Sequence, residues 1–514
     1  MSETQNLKLQ KPTKQAGSAA PSTPAAPTAI PPLFRRMDWI TALLAFLVVW
    51  IVYFLTMAPE VTLEDSGELV TGSVYAGIPH PPGYPVWTIY TFFWTQLIPW
   101  GNFAWRVTLG ELTAAAFGCG LVALMVSRGS SMLMEGIEEL NAMRGRWENA
   151  ICAICGFVSA LLVGLDGYMW SESVVINRIS LFGMPWLMIV MVGLLRWMYA
   201  PNQMRYLYMA MFAFGICFTI HQTLLCAALG IELAVLLAQP KLGRDMLFGN
   251  SIVYVVLMAV KSSGILPILQ TDMILNIFHA VGLLSIGGFI WLMIQTGKLA
   301  TEWKPILIMF FLVIFGWAFY FYEPIAGMTN PPMQWGYPRT VEGFWHALSR
   351  GQYDKITPTD IFHEPGKFMS QLYFLFTGIV DEFNLVYAAL ALLPFLFLLK
   401  MQRRERSWIL GLCSVYVFIS VMLMILFNPS LDRASMDLLK VFFASSHGVV
   451  GVMVGYGMAL TAAFMACNYQ RFRKWGLAGG AVAVVLALFT LREKTAELYY
   501  GMEGNPDMTL TELW

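Results

Sequence analysis

Charge is scarce in this chain, and that scarcity narrows its class first. Only 12% of its 514 residues are Asp, Glu, Lys or Arg, about half the share of a soluble domain. The 32 basic residues are balanced by 32 acidic ones, so there is no basic field to hold nucleic acid. Cysteine is thin as well, with seven residues, all inside apolar segments. Cys152 and Cys155 form a CxxC, but within an apolar run they read as small packing residues rather than a redox or metal pair. The chain has no Walker A loop, no GxGxxG after a strand, no HExxH and no EF-hand. Nucleotide-driven and zinc-protease functions therefore have no support. No internal repeat of the kind common in transporters is visible.

What the chain does have is length in apolar runs. Hydrophobic residues make up 57%, and runs of 18 or more recur throughout, each long enough to cross a bilayer. The reading is all-α, a polytopic membrane helical bundle. The expected spans are 39–57, 104–126, 149–165, 181–199, 206–220, 222–239, 248–269, 274–296, 305–322, 376–399, 408–427, 441–466 and 476–491. The run after Arg35-Arg36 is too long for a signal-peptide core and lacks a small-residue cleavage site, so it is expected to stay. With the N-terminus cytoplasmic, 21 Lys/Arg fall on inner segments and 10 on outer ones, which satisfies the positive-inside rule. Residues 1–36 then form a disordered cytoplasmic tail. Residues 37–200 form an N-terminal membrane module with a first outer loop, 58–103. Residues 201–491 complete the bundle with a second outer segment, 323–375, and 492–514 are an outer tail.

The first outer loop carries the chemistry. It begins "APEVTLEDSGELVTGSVYAGIPHPPGYPVW" and holds Glu60, Glu64, Asp65 and Glu68 within nine residues. Ser66 to Ala76 is expected as a short helix near the membrane surface, and His80 to Pro85 as extended chain, because each proline restricts itself and its predecessor. Asp65 and Glu68, three apart, share a helix face. Asp-x-x-Glu is also a helix-start pattern, with Asp65 as N-cap and Glu68 at N3. A cap fixes a carboxylate in place, so the structural and functional readings are compatible. His80 either faces those carboxylates or sits in an exposed rigid turn.

Further polar residues stand where lipid makes them costly. Glu172 and Arg178 form an ion pair at helix ends or address an anionic ligand; either costs about 2.5–3.5 kcal/mol unpaired at a helix centre. Lys261 snorkels to the interface or partners a lipid phosphate. In "MTNPPMQWGYPRT", Trp335 and Tyr337 offer aromatic faces to sugar or peptide and Arg339 a fork for phosphate; the alternative is an ordered loop capping the bundle. Residues 341–375 read as short interfacial helices. Gly451 and Gly455 form a GxxxG packing contact. His221 marks an uncertain break between two short spans.

The stretches "LEDSGELVTGSVYAGIPHPPGYPVW", "NFAWRVTLGELTAAAFGCGLVALMV" and "NPPMQWGYPRTVEGFWHALSRGQY" resemble a family of bacterial polytopic proteins. Its animal member is a transmembrane protein O-mannosyltransferase. The likeness covers roughly residues 40–200 and 325–355. That family belongs to the GT-C superfamily. The resemblance implies an inverting glycosyltransferase that takes a sugar, plausibly mannose, from a polyprenyl-phosphate donor. Its acceptor would be a hydroxyl of an exported protein or peptide, on the periplasmic face of a bacterial inner membrane. It places a catalytic acid in the first outer loop, at Asp65 or Glu68. Glu64, His80, Arg106, Glu172, Arg178, Lys261, Trp335, Tyr337 and Arg339 are the accompanying substrate-binding candidates. The chain departs from the family at Asn177, where an acidic residue is common. No metal motif is predicted, although a divalent metal between Asp65 or Glu68 and the phosphate is compatible with these ligand types. The rival readings are a secondary transporter or lipid flippase, with Lys261, Glu111 and Glu232 along its path, and a non-catalytic lipid-binding scaffold.

Overall fold

The computed structural model describes residues 32–474 except 63, 144, 177–178, 262–271, 354–355, 431, 433–434 and 436–438, together with 476–479, 481 and 485. The expected tail to residue 31, Asn177, Arg178, the end of the seventh span, most of the thirteenth and the segment 492–514 lie outside the described residues.

Among the described residues the fold is a bundle of helices. In chain order they are α1 (Arg36–Thr56), α2 (Ser66–Val74), α3 (Pro85–Leu97), α4 (Phe103–Glu135), α5 (Arg146–Gly164), α6 (Gly167–Ser173), α7 (Gly183–Tyr199), α8 (Arg205–Ile220) and α9 (Ala227–Ala238). They continue with α10 (Pro240–Lys261), α11 (Asp272–Thr296), α12 (Trp303–Trp317), α13 (Tyr322–Met328), α14 (Val341–Leu348), α15 (Pro365–Leu396), α16 (Arg403–Val417), α17 (Leu423–Phe427) and α18 (Ala444–Cys467). Among the described residues nine stretches are long and apolar enough to cross a membrane, and three shorter apolar helices accompany them, Gly183–Tyr199, Arg205–Ile220 and Gln222–Ala238. The chain is an all-α, multi-pass membrane protein.

The core sits around α4, which is buried along nearly its whole length. Small residues let its neighbours close in: a Cβ on Gly120 would stand 3.1 Å from the Ala42 carbonyl of α1, and one on Gly156 of α5 would stand 2.8 Å from the Ala123 carbonyl. Backbones at that range gain dispersion contacts that lipid cannot replace. The Gly451–Gly455 pair packs α18 in the same way, Gly451 against Val163 and Gly455 against Val126. Cys152 and Cys155 are buried free thiols, as packing residues should be. By contrast α12 exposes Phe310, Phe311 and Phe315, a face suited to acyl chains.

Several boundaries move from their expected places. Helix α15 starts at Pro365, inside the segment read as outer to residue 375. Proline at the first helical position begins a helix in polar sequence that hydropathy cannot mark. Within α15, Asn384 has φ 55° and ψ 166°, and its Oδ1 accepts from the Val386 and Tyr387 N–H groups at 2.9 and 3.2 Å. The chain therefore stops and restarts there. At the other end, the ninth span continues through a 3₁₀ turn into α13, so the helix passes residue 322 and ends at Met328. Glu232 of α9 accepts from Asn250 Nδ2 at 2.7 and 2.8 Å, which ties α9 to α10.

Gly215 and Gly316 mark a close crossing of α8 and α12: a Cβ on Gly316 would stand 2.5 Å from the Phe212 carbonyl, and one on Gly215 would collide with that of Val313. Gly249 has open space at its Cβ position. Gly316→Leu should therefore destabilise the protein by about 1–3 kcal/mol through overpacking, while Gly249→Ala should stay within about 0.5 kcal/mol of wild type. Thermal melts in one detergent test this contrast; equal melting points would refute the close crossing.

Candidate functional site

The site begins where α1 ends. The Ala58 N–H donates to the Val174 carbonyl at 2.7 Å, and the Thr62 N–H to Ser66 Oγ at 3.1 Å. These bonds bend the acidic segment back toward the bundle before α2 starts. Asp65 is the N-cap residue of α2, but its side chain makes no capping bond. The expected positions hold, with Asp65 at the N-cap and Glu68 at N3, but without the capping bond. Glu68 reaches instead across the loop to His80, twelve residues on. Its Oε1 accepts from the His80 backbone N–H and lies 3.0 Å from His80 Nδ1.

The loop that carries His80 is held from three sides. Gly72 of α2 packs against Pro79, and Gly77 donates to the Gly72 carbonyl at 2.8 Å. Ile78 forms a parallel bridge with Gln334: its N–H donates to the Met333 carbonyl at 2.9 Å, and the Trp335 N–H returns to the Ile78 carbonyl at 3.1 Å. Tyr322 Oη adds a bond to the Gly77 carbonyl at 3.0 Å. The expected extended run is therefore a turn: the Pro81–Pro82 bond is cis, Gly83 has φ 87° and Tyr84 φ 48°. Gly83 is needed here, because a Cβ would collide with the Glu323 carboxylate. Glu323 is fully buried, and neither oxygen finds a hydrogen-bond partner among the described residues.

A polar chain runs on from His80. Tyr84 Oη lies 2.9 Å from His80 Nε2. The Tyr84 ring stacks on His221 at 6.4 Å between centroids, and His221 meets Phe442 at 5.1 Å. His221 thus lines the site from the connector between α8 and α9. Burial, with the Arg350 and His80 charges beside it, pushes its imidazole down to about 3. Burial likewise pushes the Tyr84 hydroxyl up, and the Arg350 guanidinium opposes the shift.

Asp65, Glu68 and His80 converge. One ligand atom from each lies within 4.8 Å of the others, and all three side chains are half-buried. That span is twice a metal–oxygen distance of about 2.4 Å, so the set has the size and donor mix to hold a divalent cation, whose chemistry would be to neutralise phosphate charge.

The remaining candidates are placed elsewhere. Arg106 donates to the carbonyls of Thr95, Trp100 and Gly101 at 2.9, 3.1 and 3.0 Å, so it satisfies the end of α3 and the turn after it. Glu172 is half-buried on α6 and Glu64 is exposed beside Asp65 with φ 57°. Lys261 closes α10, and no described ion pair joins it to the acids. Trp335 contributes its backbone to the bridge while its side chain is exposed, as are Tyr337 and Arg339, whose guanidinium lies 5.4 Å from the Tyr337 ring. The site also includes Tyr84, His221, Glu323 and Arg350, which the sequence reading did not select. Tyr84 lay within the "HPPGY" motif and His221 interrupted an apolar run; Arg350 carried no local signal.

The geometry defines a polytopic helical membrane protein with an acid–imidazole–phenol chain set in a loop beside its bundle. Residues 65–243 match the model of a family described as the protein O-mannosyl-transferase TMEM260 N-terminal domain. Over 119 residues the chain is 31% identical to protein O-mannosyl-transferase TMEM260 of Mus musculus, covering 22% of this chain and 17% of that protein. Over 78 residues it is 30% identical to its counterpart in Dictyostelium discoideum, covering 15% and 10%. The chain is therefore related to the TMEM260 O-mannosyltransferases through this region, and it aligns with less than a fifth of the length of either relative. No solved structure matches.

The Glu68–His80–Tyr84 chain should be cooperative. His80→Ala leaves the Glu68 carboxylate without its imidazole and should cost about 1–3 kcal/mol, and Tyr84→Phe about 1 kcal/mol. The double variant should lose less than the sum of the two, because the contacts share His80. Denaturation of the three variants in detergent decides; strict additivity would show that the chain is not a unit.

Proposed function

We propose that this chain is a membrane glycosyltransferase of GT-C type that moves a mannosyl group from a polyprenyl-phosphate carrier to a protein hydroxyl on the non-cytoplasmic face. The observation that supports it most is the convergence of Asp65, Glu68 and His80 at the start of the region that matches the O-mannosyltransferase family.

The three residues divide the work. Glu68 accepts from the His80 backbone and faces its ring, so it holds the imidazole. Asp65 then serves as the base. A carboxylate with an ordinary pKa near 4 is ionised at neutral pH and can take the acceptor's proton. In the transfer step the acceptor oxygen forms a bond to the sugar's anomeric carbon. The bond from that carbon to the phosphate oxygen breaks, its electron pair leaves with the phosphate, and the hydroxyl proton passes to Asp65. One displacement inverts the anomeric configuration. Base catalysis contributes roughly 10²–10⁴-fold; alignment of donor and acceptor and stabilisation of the departing phosphate supply the rest.

Asp65→Asn should lower mannosyl transfer by about 10²–10⁴-fold while the melting point stays at the wild-type value. The assay supplies purified protein with polyprenyl-phosphate mannose and acceptor peptides, read by mass spectrometry. Unchanged transfer would remove Asp65 as the base. In cells, deleting the chain should strip hexose from a set of exported proteins.

A further inference from the structure

We propose that Arg350 seats the phosphate of a lipid whose apolar tail lies along an aromatic wall formed by Phe321, Phe344 and Trp345. The proposal rests on the preceding section only for the idea that such a lipid is the donor; the binding site follows from the placement of these residues.

Arg350 stands at the junction of two surfaces. On one side is the polar chain already described. Gln222 Nε2 donates to the Leu348 carbonyl at 2.8 Å, which pins the end of α14 to the connector that carries His221. The Arg350 N–H then donates to the Ala347 carbonyl at 3.0 Å, and the Arg350 carbonyl accepts from the Tyr353 N–H at 2.9 Å. These bonds hold the residue at φ 54°, with its guanidinium 4.3 Å from the Tyr353 ring centroid. Its charge reaches both Tyr84 and His221.

On the other side the surface is greasy. The Phe321 and Phe344 rings stack at 6.2 Å with 9° between planes, and Trp345 packs edge-on against Phe344. Phe321, Trp345 and Val341 are all exposed. This wall continues the exposed face of α12, Phe310, Phe311 and Phe315, within a stretch long and apolar enough to span a membrane. That continuity selects a lipid tail as the occupant.

The cation has no counter-charge among the described residues. Arg350 is half-buried, and among the described residues no carboxylate pairs with it. A guanidinium withdrawn from water calls for an anion, and its planar fork suits two phosphate oxygens. The acid pair Asp65–Glu68 sits at one end of the Glu68–His80–Tyr84 chain, and the Arg350 charge acts on Tyr84 at the other.

The test is a binding measurement on the full chain in detergent micelles, by microscale thermophoresis, with three probes: a polyprenyl phosphate, the matching polyprenol and inorganic phosphate. Wild type should bind the polyprenyl phosphate at least about tenfold more tightly than either other probe. Arg350→Gln should weaken polyprenyl phosphate by about tenfold or more and leave polyprenol unchanged, with Arg350→Lys between the two. Trp345→Ala should weaken both lipids. Equal affinity of Arg350→Gln and wild type for polyprenyl phosphate would overturn the assignment. Inorganic phosphate binding as tightly as the lipid would overturn the tail's part in it. If Arg350→Gln melts early, Arg350→Lys with a wild-type melting point carries the comparison. Binding as expected without any mannosyl transfer would overturn the enzymatic reading and leave this site standing.

Discussion

One carboxylate organises the site. Glu68 accepts from the backbone of His80 and faces its ring, so it joins the first turn of α2 to a loop twelve residues later. Without that clamp, a half-buried acid would lack an imidazole and the loop would lack its anchor to α2. With it, His80 presents Nε2 to Tyr84, and Tyr84 presents its ring to His221. Residues from the first loop and from the α8–α9 connector thereby share one polar path beside a bundle that is otherwise greasy.

That path survives because the loop is braced by backbone rather than side chain. Ile78 pairs with Gln334 through two main-chain bonds, and Tyr322 holds the Gly77 carbonyl. Main-chain partners are indifferent to side-chain identity, so the acids and aromatics nearby can vary in role without loosening the scaffold. The bracing also brings residues 328–353 against the acid loop, which is how an arginine far along the chain comes to influence Tyr84.

The membrane class was legible because lipid imposes a length and a composition on each span, and both are written locally. The apolar stretches match the expected ones over the described residues, including the short pair around His221. Helix ends were less legible: Pro365 starts α15 in polar sequence, and α13 carries the ninth span past residue 322, across Glu323 and Pro324 to Met328. The acid cluster was visible as a motif, and His80 facing it was one of two open readings, but local sequence could not decide between them. A capping pattern is local, whereas the partner that Glu68 finds is twelve residues away in a turn that needs Gly83 and a left-handed Tyr84. Arg350 was invisible for the same reason, since its meaning comes from the Gln222–Leu348 bond between remote segments. The carbonyls that Arg106 meets were not legible, because a lone cation at a helix boundary looks alike whether it meets a ligand or three carbonyls.

The interruption of α15 at Asn384 has a consequence for mechanics. Asn384 supplies its own side chain to the amides of Val386 and Tyr387, so the second half begins as a separately initiated rod. Glu382, two residues before, accepts from the Gly167 N–H at the start of α6, and Phe383 packs edge-on against His447 of α18. The joint is therefore clamped from two neighbours at the point where it is softest. Residues 365–383 and 385–396 are thus two rods meeting at Asn384, the first tied to α6 through Glu382 and to α18 through Phe383 just before the break.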